Sequence, residues 1–244
     1  MRSFLFFLFL YFAVPAWALT ESVVSRQVEK APEIKSFSDL KKLVHSLVKN
    51  SDSDEKKAYT ILTWLVKNID YDSYKYSKII EIARSHYTRS KVPQSSDIVK
   101  TRLGVCEDIA NLYKDMLEEV GVQAKVIQGC TTPIEKWKEN CSASDSAHAW
   151  NAVWIDKQWE FVDPTWSITG GKVTAMDDVS RQSQYDRELR KRQRSTSKVY
   201  EPRKNRRVDK KWFMTAPETM QKDHYPFDEK WSLLKARDRK NKNL

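Results

Sequence analysis

The chain has 244 residues, 31% of them charged and 40% hydrophobic, enough for one domain with a substantial core plus appendages. Its formal charge is +10, but thirteen Lys or Arg against four acidic residues between Arg181 and Lys211 put +9 of that excess into one stretch and leave the rest close to neutral. A uniformly basic nucleic-acid-binding surface is thereby excluded, as is a solenoid, since no segment repeats.

In chain order, Arg2, the apolar run Phe4 to Val14, and Pro15 followed by Ala16-Trp17-Ala18 read as a signal peptide, 1–18, with cleavage after Ala18. The run is shorter than the roughly 20 residues a spanning helix needs. The chain is therefore expected to be exported, secreted or periplasmic, into an oxidising compartment. Residues 19–35 lack a period and are expected to be a mobile lead within an N-terminal segment, 19–53. From Ser36 to Lys49, the residues Leu40, Leu43, Val44, Leu47 and Val48 fall at helical spacing. Asp52, with Glu55 three positions on, is expected to cap a second helix running to about Ile69.

The spacing of Ile109, Leu112, Tyr113, Met116, Leu117 and Val120 predicts the most regular helix, opened by Gly104-Val105-Cys106 and stopped by Gly121. Strands are predicted at Val122–Gln128, Ala147–Ile155 and Gln158–Val162. The region 54–169 forms the core, with Trp64, Trp150 and Trp166 as core or cleft wall. Residues 170–210, poor in large apolar groups, are expected to be a basic, mobile insertion. Residues 211–236, with Trp212, Phe213 and Trp231, return to packed structure, and 237–244 is a tail.

Three cysteines is an odd number. Cys130 and Cys141 are close in sequence, and pairing them would stabilise by about 3 kcal/mol in the chain-entropy model. Cys106 would then be the lone thiol. At the first turn of a helix, unpaired N–H groups and the helix dipole favour a thiolate and can stabilise an oxyanion, although the charges of Glu107 and Asp108 oppose it. Zinc ligation by Cys106, Cys130, Cys141 and His148 is unsupported by any Cys-x-x-Cys or His-x-His pair, and no metal or cofactor is expected.

Ile155-Asp156-Lys157-Gln158 reads as a two-residue hairpin turn. If Ile155 pairs with Gln158, His148 and Asp163 become diagonal neighbours on one sheet face, within reach of a hydrogen bond. Trp150, Ala152, Trp154, Trp159 and Phe161 share that face, which is expected to be the side packed on the Cys106 helix. A helix-start thiol, an imidazole and an orienting carboxylate are the parts of a thiol acyl-transfer site.

These segments resemble the transglutaminase-like superfamily, particularly its kyphoscoliosis-peptidase-like branch. The resemblance is carried by Lys56-Lys57-Ala58-Tyr59 to Asp72, Gly104 to Leu112, His148 to Val153, Trp159 to Trp166, and Trp212 to Leu234, the last including His224-Tyr225-Pro226. It implies an α+β, papain-like core with a nucleophile helix on an antiparallel sheet. It also implies a Cys106–His148–Asp163 triad attacking a peptide or carboxamide carbonyl through a thioester. Hydrolysis is favoured over protein-crosslinking transamidation, and a catalytically silent binding module of the same fold is the competing reading. The expected partner is a protein or peptide substrate. For the basic stretch, an anionic envelope polymer or membrane surface fits better than nucleic acid, because aromatics other than Tyr185 and Tyr200 are lacking.

Overall fold

An amphipathic helix, here α4 (Cys106–Glu119), buries Ile109, Leu112, Tyr113, Met116 and Leu117 along one stripe. It ends where Gly121 takes a positive φ of 80° without steric penalty. The computed structural model describes residues 16–31, 37–73, 75–77, 79, 98–99, 101–131, 147–170 and 205–232. Before α4 come α1 (Ala16–Glu29), α2 (Phe37–Leu47) and α3 (Asp54–Asn68), then β1 (Asp70–Tyr71) paired in parallel with β2 (Leu103–Gly104). After it come β3 (Ala124–Thr131), β4 (Ala147–Ile155), β5 (Gln158–Val162), α5 (Pro164–Thr169), β6 (Phe213–Thr215), α6 (Pro217–Met220) and β7 (His224–Pro226). Five strands form one antiparallel sheet in the order β6-β5-β4-β3-β7.

The β4–β5 register is the expected one: Ile155 opposes Gln158 and Asn151 opposes Val162. Asp156 and Lys157 at the turn both have positive φ, 49° and 65°. That is the backbone of a type I′ turn, whose twist matches the strands it joins.

The sheet has two differently packed faces. One bears Ala124, Val153, Ile155 and Val162 and packs with the helices in an aliphatic core that includes Leu43, Leu47, Ile61, Leu65, Ile109 and Leu112. Asn151 donates from that face to the Ala110 carbonyl of α4 (3.0 Å), and Tyr113 of α4 donates to the Ala58 carbonyl of α3 (3.0 Å). The other face bears Ile127, Trp150, Ala152 and Phe161, packed with Trp212 and Met220 of the C-terminal segment. This corrects the expectation that the tryptophan face packs on the Cys106 helix. Alternation puts the odd residues of β4 toward α4 and the even ones, His148 and Trp150 among them, toward the closing segment.

Three further expectations are corrected. Residues 19–29 are not a mobile lead but helix, with Val24 and Val28 buried in the aliphatic core and Glu29 ion-paired with Lys67 (3.1 Å). The cap of α3 is Ser53, whose hydroxyl accepts the Lys56 N–H, while Asp52 accepts the Lys49 N–H and pairs with Lys56. The end of the supposed insertion is packed: Val208 is buried, and Arg206 pairs with Asp70 (2.8 Å) and donates to the Ile69 carbonyl (2.9 Å) at the end of α3. The signal-peptide run Phe4–Val14, Cys141 and residues 171–204 lie outside the described residues. Among those described, no helix is long and apolar enough to cross a membrane.

Candidate active site

Cys106 is a free, partly exposed thiol and the first residue of α4. Its approach is braced by backbone bonds from Asp70 N–H to the Arg102 carbonyl (2.9 Å) and from Asp72 N–H to the Gly104 carbonyl (3.0 Å). The two acidic neighbours that seemed to oppose a thiolate are both engaged. Asp108, nearly fully buried, accepts the Val105 N–H (3.0 Å) and pairs with Lys75 (2.6 Å), and Glu107 accepts from Gln128 (2.8 Å). As in any α-helix, the first-turn N–H groups of α4 have no intrahelical acceptors.

His148, near the start of β4, and Asp163, just past β5, are brought together as the register implied: Nε2 lies 2.8 Å from Oδ2, both groups buried. An ionised carboxylate only accepts, so Nε2 carries the hydrogen and Nδ1 is left free of Asp163, with the Cys106 thiol close enough to act on the charge of the ring. Burial opposes a charged ring. The charge and hydrogen bond of Asp163, and then Cys106, outweigh it and push the His148 pKa up to about 10. Burial likewise opposes the Asp163 carboxylate, but His148 and then His224 hold it well below the usual carboxylate range.

Asp163 has a second task. Its Oδ1 accepts the Trp166 N–H (2.9 Å), making it the N-cap of α5 with Pro164 in the first turn. The Asp-Pro pair at the end of a strand carries that signal in the sequence.

Two residues beside the site were not assigned from the sequence. His224 on β7 is almost fully buried and places Nε2 3.0 Å from the same Asp163 Oδ2, with Nδ1 2.6 Å from Asp223. It lies within Trp212 to Leu234, but nothing local marks it, because β7 reaches Asp163 only by pairing with β3. Tyr71, on β1 opposite Gly104, is the other: burial, and then the charge of Cys106 and of other neighbours, raise its hydroxyl pKa far above the ordinary value, so it stays protonated.

The rings of Trp150, Trp166 and His224 stand 6.0, 5.6 and 5.5 Å from that of His148. His148, Asp163 and His224 offer three ligand atoms within 4.8 Å of one another, a spacing a cation could use. Both ring nitrogens already meet Oδ2 at hydrogen-bond distance, so an ion would have to displace those hydrogens.

The transglutaminase-like superfamily model matches residues 41–164, from α2 to the first residue of α5. Over 205 residues the chain is 26% identical to kyphoscoliosis peptidase of Mus musculus and 25% identical to that of Homo sapiens. Each alignment takes in 84% of this chain but 26% of the relative, so the chain spans about a quarter of the length of these curated proteins. The periplasmic domain of TgpA from Pseudomonas aeruginosa is similar at 18% identity and a TM-score of 0.40, over 62% of this chain and 50% of that one.

Proposed function

We propose that this chain, which belongs to the transglutaminase-like superfamily, is a thiol enzyme that cleaves a peptide or carboxamide bond through a Cys106 thioester. The observation that carries this reading is a buried imidazole held at Nε2 by a buried carboxylate, with a helix-start thiol near enough to act on its charge. The Cys106 thiol gives its proton to Nδ1 of His148 and the sulfur attacks the carbonyl carbon, while the first-turn N–H groups of α4 receive the developing oxyanion. The C–N bond then breaks, and the leaving amine takes its proton from His148. Water gives a proton to His148 and attacks the thioester carbon; the C–S bond breaks, the acid leaves, and His148 returns the proton to the Cys106 sulfur. Asp163 stays ionised and keeps His148 oriented.

Hydrolysis is favoured over transfer to an amine because the thiol is partly exposed and water reaches it at high concentration. The experiment incubates the mature protein with a glutamine-containing protein mixture and a labelled primary amine, and follows products by mass spectrometry. New chain termini that depend on Cys106 support hydrolysis; Cys106-dependent amine incorporation without new termini makes it a transamidase. Neither product from a folded protein favours a binding module.

Export follows as part of the same proposal. Cleavage after Ala18 would leave Val24 and Val28, the residues that dock α1. In an oxidising compartment Cys130 and Cys141 would pair and leave Cys106 free, and the basic stretch would meet an anionic polymer or membrane surface. Peptide mapping without reductant tests the pairing: a bridge from Cys106 to either cysteine rules it out.

A further inference from the structure

We propose that His224 is a positioning residue that shares the Asp163 carboxylate with His148, extending the chain of groups to Cys106–His148–Asp163–His224–Asp223. The inference rests on the triad reading above and concerns a residue outside it.

Both imidazoles place Nε2 on the same oxygen, Oδ2 of Asp163, at 2.8 Å and 3.0 Å. A carboxylate oxygen accepts and does not donate, so His224 holds a hydrogen toward Asp163. Its other nitrogen faces a second carboxylate, Asp223, at 2.6 Å, which fixes the ring plane from behind. The ring is caged by Trp150, Trp166 and Trp212, with centroids 5.0, 4.3 and 5.5 Å away. The titratable groups facing it among the described residues are Asp163 at the end of β5, Asp223 before β7 and His148 on β4; the other rings are neutral indoles.

The chemical consequence has a definite sign. A carboxylate that accepts two hydrogens on one oxygen offers less negative charge to each donor than one that accepts a single hydrogen. His224 therefore weakens the stabilisation that Asp163 gives the His148 imidazolium through Nε2 and eases release of the Nδ1 proton to the leaving amine. A group that merely supported the fold would act the other way: its loss would loosen Asp163 and weaken its grip on His148.

The test is alkylation of Cys106 by iodoacetate, measured on the Cys106 peptide as a function of pH. Its upper limb reports loss of the proton from His148, and no substrate need be known. Asp163→Asn should move that limb down in pH. His224→Phe, which keeps an aromatic ring in the cage but no donor, should move it up by about one pH unit. His224→Gln, which keeps one donor, should move it up by less and stands in if the Phe variant does not fold. A downward shift, or none, in the His224 variants while Asp163→Asn shifts the limb overturns the assignment of His224 and leaves the triad standing. A profile indifferent to both His148→Ala and Asp163→Asn overturns the triad reading and this inference with it.

Discussion

The two faces of the five-stranded sheet are built from different chemistry. Toward α3 and α4 the contacts are aliphatic, among them Leu65, Ile109, Leu112, Val153 and Ile155, with Asn151 as a polar tie to α4. Toward the C-terminal segment they are aromatic and polar, with Trp150, Phe161, Trp166 and Trp212 around His148, Asp163 and His224. Fully burying an aliphatic side chain stabilises by about 1.5–3 kcal/mol, so the first face carries stability. Ionisable groups lose solvation on burial and survive only when paired, and the second face supplies those pairs in a cage of rings. Stability and the proposed chemistry are thus separated by the thickness of one sheet, and α4 belongs to both: its flank packs on the aliphatic side and its N-terminus carries Cys106.

Substitutions can break that separation. On the aromatic side, Cys106→Ala should abolish turnover. Asp163→Asn should lower kcat by about 10²–10⁴-fold with the circular dichroism spectrum retained, because Asn keeps the cap on α5 but misorients His148. Activity unchanged in Asp163→Asn would remove the carboxylate from the mechanism. On the aliphatic side, Leu65→Ala should cost about 2–5 kcal/mol in urea unfolding while leaving kcat per folded molecule unchanged. A parallel loss of kcat would show that the faces are coupled.

Gly129 tests the seam between β3 and β7. A Cβ there would lie 2.1 Å from the Tyr225 carbonyl oxygen, which cannot yield without moving β7, and 2.5 Å from the buried Trp150 ring of β4. Gly129→Ala should destabilise by about 1–3 kcal/mol and, unlike Leu65→Ala, also lower activity, since β7 carries His224.

The smallest effect expected is on the pH dependence of stability. The folded pKa of His148, about 10, lies above the ordinary 6.5, so its contribution is complete below about pH 6.5 and is lost as pH rises toward 10. Asp163 is shifted the opposite way; its contribution is present above 3.8 and fades as pH falls below that. Thermal melting should therefore decline on both sides of a plateau, and Asp163→Asn should flatten the alkaline decline. An alkaline limb identical in that variant would assign the loss to other groups.

Much of this was legible in the chain. The periods of α2, α3 and α4, the extents of β4 and β5, and the Asp156-Lys157 turn follow from local pattern, and a two-residue turn sets the register that makes His148 and Asp163 diagonal neighbours. Weak periodicity hid α1, whose burial depends on Val24 and Val28 meeting the aliphatic core. Ser53 displaced Asp52 as the cap because Asp52 turns to Lys49 and Lys56.

Alternation along β4 separates odd residues from even ones, but both faces are apolar, so the sequence alone did not determine which one α4 covers. Only the tertiary structure decided that, by bringing the 212–231 segment back over the tryptophans. Pairing of β7 with β3 likewise put His224 on Asp163 across 61 positions. Local composition encodes what a residue prefers to be next to, whereas non-local strand pairing determines what it meets.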